Sequence, residues 1–152
     1  MKRYIHFSSR DEVYRINISQ IIFFVASGNY TFMQLATGQK IAFTFSLQKM
    51  HKYLIEKLGD DARIFAHIGK FHIINLNYIY HINIPKQQLR LICENGRKLQ
   101  TEKGEKFELI RDEYNDKELF IRYNGNEYII SVSKVALRKL KDFIESSTSQ
   151  GA

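Results

Sequence analysis

Five consecutive apolar residues, Ile21 to Val25 (IIFFV), constrain this chain more than any other stretch. A strand with one wet face alternates apolar and polar side chains, so an unbroken run belongs to a strand covered on both faces. A sheet must therefore surround it, and the flanking sequence supplies one. Downstream, Ala26-Ser27-Gly28-Asn29 offers a glycine and an asparagine able to take positive φ in a turn, and Tyr30 to Leu35 returns as a second strand. Thr37-Gly38 turns the chain again into IAFTF, where Ile41, Phe43 and Phe45 alternate. Upstream, Val13 to Ile18 sets Tyr14, Ile16 and Ile18 on one side against Arg15 and Asn17 on the other, the pattern of a half-buried strand. The first third reads as a β-meander.

The period then changes. Leu47, Met50, Leu54 and Leu58 recur at spacings of three and four, one face of a helix, with Ser46 as N-cap and Gly59 as its stop. His51 and Lys57 fall off that stripe and are expected in solvent. Next comes IGKFHIINLNYIYHI, Ile68 to Ile82, a mostly apolar segment that reads as buried strand. It carries Gly69, Lys70 and His72 at one end and Asn75 and Asn77 inside. Asn75 in mid-strand is expected at a turn or bulge, its amide satisfying nearby backbone groups. Asn95-Gly96 between LRLIC and RKLQT, and Asn124-Gly125 between LFIRY and EYIISV, are strong hairpin signals. Between them TEKGEKFELIRDEYNDKE is a charged loop around one short apolar piece, Phe107 to Ile110. Ser133 is placed to cap a final helix with Ala136 or Leu137, Leu140, and Phe143 or Ile144 inward. Lys134, Arg138, Lys139 and Lys141 occupy its other face, and the small polar residues 146–152 read as a flexible tail.

The chain's 152 residues suit a single domain, 1–145, mostly β with two helices, and 44% apolar residues suffice for a core. No apolar run is long enough to cross a membrane, and MKRYIHFSSRDE has no apolar signal region. The single Cys93 excludes an internal disulfide, and a cytoplasmic location is expected. Catalytic patterns are missing. His6, His51, His67, His72 and His81 have no carboxylate or cysteine at ligand spacing, so neither metal nor cofactor is expected. Glu108, Asp112, Glu113, Asp116 and Glu118 read as an acidic loop rather than an acid–base pair. Lys plus Arg exceed Asp plus Glu by 23 to 16, a net charge of +7 that suits a polyanionic partner.

Three blocks in order resemble the LytTR family of bacterial DNA-binding domains. They are SQIIFFVASGNYTFMQL (19–35), RIFAHIGKFHIINLNYIYHI (63–82) and YIISVSKVALRKLKDFI (128–144), with FSLQKMHKYLIEKLGDD matching the family's helix between the first two. The most specific is Ile74-Asn75-Leu76-Asn77-Tyr78-Ile79. The resemblance implies an elongated arrangement of short antiparallel β-sheets, with one helix after the first meander and another at the C-terminus. It implies a transcription regulator, not an enzyme, whose loops enter successive major grooves of double-stranded DNA, usually with a second copy on adjacent direct repeats. Relatives often carry a receiver domain in front; the first strand expected near residue 13 leaves no room for one. The DNA-facing candidates are Asn29, Tyr30, Lys70, His72, Ser133, Lys134 and Arg138. Asn29 and Tyr30 either face a groove or serve the turn, and Lys134 and Arg138 either meet DNA or form a solvated basic face. Gly69, Lys70 and Phe71 stand where relatives carry His-Arg-Ser, and a lysine is a point charge without arginine's fork for guanine. An insertion at about 101–118 is acidic and is expected away from the duplex or against a regulatory protein partner. That leaves an alternative role: an interaction module that antagonises a partner regulator.

Overall fold

The computed structural model describes residues 3–92, 110–111, 118–119, 121–123 and 127–151, with side chains in 3–92 and 127–146. The Asn95-Gly96 and Asn124-Gly125 turns, Cys93 and most of the 101–118 insertion lie outside the described residues. Contacts divide the chain into two compact units, Met1–His67 with Phe71–Asn77, and Ile68–Lys70 with Tyr78–Ala152.

In the first unit the meander forms as its pattern requires. Strands β1 (Tyr4–Ser8), β2 (Val13–Asn17), β3 (Ile21–Ser27), β4 (Tyr30–Leu35) and β5 (Lys40–Phe43) lead into α1 (Leu47–Leu58), then β6 (Phe65–Ile68) and β7 (His72–Asn75). Five of these make one sheet in the order β5-β4-β3-β7-β6, so β3 is its centre and Ile21 to Val25 are all buried. α1 buries Leu47, Met50, Leu54 and Leu58. The Ser46 hydroxyl accepts from the Lys49 amide at 3.2 Å, and Gly59, at φ 56°, ends the helix.

The structure adds a strand before the expected first one. Tyr4–Ser8 pairs antiparallel with Val13–Asn17, from Tyr4 opposite Asn17 to Ser8 opposite Val13. Ile5 and Phe7 enter the core, with the Phe7 ring 4.8 Å from that of Phe43, and the Tyr53 hydroxyl donates to the His6 carbonyl. This β1–β2 hairpin forms a sheet of its own, and β1 supplies its buried face. Val13 and Tyr14 are therefore exposed instead of half-buried, Ile16 is half-buried, and Ile18 is buried in a short 3-10 turn.

The central segment is two strands and a turn rather than one strand. All four residues of β7 are buried, and the 3-10 turn Leu76–Tyr78 then breaks the run before β8 (Ile79–Asn83). Asn75 makes that break. Its Nδ2 donates to the Ile21 carbonyl at 2.9 Å, and its Oδ1 accepts from the Asn77 amide at 3.0 Å. The side chain thus holds the end of β7 to the start of β3 and opens the next turn.

In the second unit β8, β9 (Gln88–Ile92), β12 (Ile121–Tyr123) and β13 (Glu127–Ser131) form an antiparallel sheet in the order β12-β13-β9-β8. Two-residue strands β10 (Ile110–Arg111) and β11 (Glu118–Leu119) pair separately. Leu89, Leu91, Tyr128 and Ile130 are buried. On β13, Glu127 accepts from the Tyr80 hydroxyl and from Arg90 Nη1, the latter at 3.0 Å. α2 (Lys134–Gly151) buries Leu137 and Leu140. Ile144 rather than Phe143 turns toward the core, since Phe143 is 52% exposed. The helical backbone continues past Glu145 through Gly151, where a tail was expected.

Asn75→Ala removes the partner of one buried carbonyl and one amide. It should destabilise the first unit by about 2 kcal/mol, read as a lower denaturant midpoint with an unchanged slope.

Candidate nucleic-acid interface

The β3–β4 connection is a tight turn whose flanking strands lie in the core sheet. Gly28 takes φ 61°, a conformation that costs glycine nothing and other residues about 1–2 kcal/mol. Register runs without slip from Phe23 opposite Gln34 to Ser27 opposite Tyr30, so the turn has a rigid base. The Thr31 hydroxyl donates to the Phe45 carbonyl at 2.7 Å and pins the start of β4. Asn29 and Tyr30 emerge exposed, Tyr30 by 46%, its ring 6.5 Å from that of Phe32. An amide and a phenol held at a turn tip can donate to base edges or phosphate oxygens.

The end of β3 lies beside the start of β7. Val25 pairs with His72, and the Ala26 amide donates to the Phe71 carbonyl at 2.8 Å. Before Phe71 in the chain stand Gly69 and Lys70, both exposed. Gly69 takes φ +64°, and a Cβ built there meets nothing within 4 Å. The sign of φ, not crowding, selects glycine, and open space leaves this backbone free to be approached.

His72 does not belong with them. It is 4% exposed, and its Nε2 is buried without a hydrogen-bond partner. Burial, aided by the nearby His67, pushes its pKa down to about 4. A neutral, enclosed imidazole cannot meet a phosphate, so the expectation of a DNA contact is corrected. The signal was present: HIIN is a run covered on both sides, like IIFFV, and a histidine inside such a run goes inward with it.

In the second unit the start of α2 is basic. The Ser133 hydroxyl accepts from the Ala136 amide at 3.2 Å and so caps the helix, as its position predicts. Lys134 and Arg138, one turn apart, are exposed and make no ion pair among the described residues. Lys141 differs: it pairs with Glu145, whose hydrogen bond and charge raise its pKa. Arg15, on the polar side of β2 as its alternation requires, lies over the Tyr4 ring, 3.7 Å from its centroid, a stacking legible only once β1 is known.

The first unit thus presents a polar turn on a sheet whose central strand is buried, and the second a capped helix with exposed cations that make no ion pair among the described residues. The model of the LytTr DNA-binding domain matches residues 11–109, and the chain belongs to that family. It is a DNA-binding domain of the kind that regulates transcription. Among solved structures, one similar chain is the LytTr DNA-binding domain of a protein described as a methyl-accepting/DNA response regulator from Bacillus cereus. The two share 21% identity at a TM-score of 0.43, over 61% of this chain and 80% of that one. No curated protein matches. No helix among the described residues is long and apolar enough to cross a membrane.

The buried histidine has a consequence for stability. Unfolded, His72 titrates near 6.5; folded, near 4. Above 6.5 both states are neutral there. As pH falls below 6.5 only the unfolded chain takes up the proton, so stability declines until the folded pKa is reached, by about 3 kcal/mol in all. His51 and His67, also lowered by burial, act in the same direction. The denaturation midpoint should fall between about pH 7.5 and about pH 5, and His72→Leu should flatten that decline.

Proposed function

We propose that this chain is a transcription regulator that reads DNA with Asn29 and Tyr30 at the β3–β4 turn, Lys70 before β7, and Ser133, Lys134 and Arg138 at the start of α2. The turns enter successive major grooves, and two copies occupy adjacent direct repeats. Acting on DNA, it works in the cytoplasm. Membership of the LytTR family carries this reading, and the exposure of these six side chains supports it.

The roles follow from side-chain chemistry. Lys70 and Lys134 neutralise phosphates and release counterions, which makes affinity depend steeply on salt. Asn29 can present its amide to the N6 and N7 edge of adenine, and Arg138 can fork onto guanine or phosphate. Ser133 keeps its hydroxyl proton for a phosphate while its oxygen caps the helix. A lysine at position 70 contributes charge without a bidentate pattern, so base preference rests on Asn29 and Arg138.

Binding to genomic fragments should weaken steeply as salt rises. In Lys70→Ala/Lys134→Ala the slope of log affinity against log salt should shrink by about one unit per lost contact, with sequence preference kept. Asn29→Ala should instead relax preference at one base pair by about 1–3 kcal/mol and leave the slope alone. Salt-independent binding, or an unchanged slope in the double variant, would favour the alternative role as an antagonist that captures a partner regulator.

A further inference from the structure

Outside the DNA-facing residues, two histidines far apart in the chain meet in the first unit. His51 lies on α1, and His67 lies on β6. Their ring centroids are 5.2 Å apart and their planes are perpendicular, at 88°. Both remain accessible, His67 exposed and His51 half-buried. Neither makes a hydrogen bond or ion pair among the described residues. We propose that His51 and His67 form a binding site for a borderline divalent transition metal such as Zn2+, Ni2+ or Cu2+, clamping α1 to β6.

The spacing carries the argument. With a metal–nitrogen bond of about 2.0 Å and about 1.2 Å from nitrogen to ring centre, two imidazoles on one tetrahedral ion have centres about 5 Å apart. The observed separation of 5.2 Å matches that value. Partial burial lowers both pKa values, and the His51 charge lowers that of His67 further, which favours the neutral imidazoles whose lone pairs a metal needs. Imidazole nitrogen suits Zn, Ni and Cu and discriminates against Mg and Ca, which take oxygen. Among the described residues no group of three or more His, Cys, Asp or Glu is arranged to hold a metal. The site is accordingly an open one: two protein ligands, the remaining positions filled by water, and affinity in the micromolar rather than the nanomolar range.

The test is calorimetric titration of the untagged full chain with ZnCl2 and NiCl2, in a Cys93→Ser background so that the thiol does not compete. One equivalent should bind with a micromolar dissociation constant and raise the melting temperature, while MgCl2 does neither. His51→Gln and His67→Gln should each weaken binding at least tenfold, whereas His81→Gln, on β8, should leave it unchanged. Circular dichroism establishes that each variant folds; His51→Asn and His67→Asn serve if a glutamine variant does not. Absence of zinc and nickel binding, or equal binding by the double variant, overturns the proposal.

Discussion

Enclosure of β3 on both faces is the constraint on which the first unit rests. Ile21, Ile22, Phe23, Phe24 and Val25 are each at most 1% exposed. At about 1.5–3 kcal/mol for each large apolar side chain, the five together contribute on the order of 10 kcal/mol before chain entropy is set against them. No hydrogen bond in the unit approaches that. The two bonds of Asn75, worth about 1 kcal/mol each when satisfied, act instead on where things end. Burial drives the sheet together, and the amide decides where β7 stops and where the next turn begins.

A core of that kind lets polar turns carry function. Gly28 and Gly69 take positive φ, which turns the chain tightly while the residues beside them stay at the surface. Asn29 and Tyr30 need no internal partners, because register and core burial already hold their strands. The basic residues divide along similar lines. Arg3, Arg63, Arg90 and Lys141 each pair with a carboxylate within their own unit, whereas Lys70, Lys134 and Arg138 are exposed and make no ion pair among the described residues. The net charge of +7 therefore does not by itself say which cations are free to meet an anion.

How far the molecule could be read in advance depended on the range of each interaction. The α1 stripe and its Ser46 cap are local, and both formed as their spacing required. So did the β3–β4 turn and the Ser133 cap. β1 was missed because YIHFS offers only Ile5 and Phe7 as apolar alternation, and its strand depends on pairing with β2. His72 was misassigned because a glycine and a lysine beside it suggested a loop, while the sheet extends to that residue and encloses it. For Asn75 the kind of role was legible and the partner was not: the Ile21 carbonyl is 54 residues away.

The amino-acid order alone determined the strands of the meander from Val13 to Phe43, where α1 begins and ends, and that the chain carries excess positive charge. These follow from periodicity, capping and turn chemistry within a few residues. Only the tertiary structure decided which strand is central, that a histidine in β7 is neutral and enclosed, and that His51 and His67 stand ring to ring. Each of those depends on segments brought together across tens of residues, where burial and pairing outweigh any local preference.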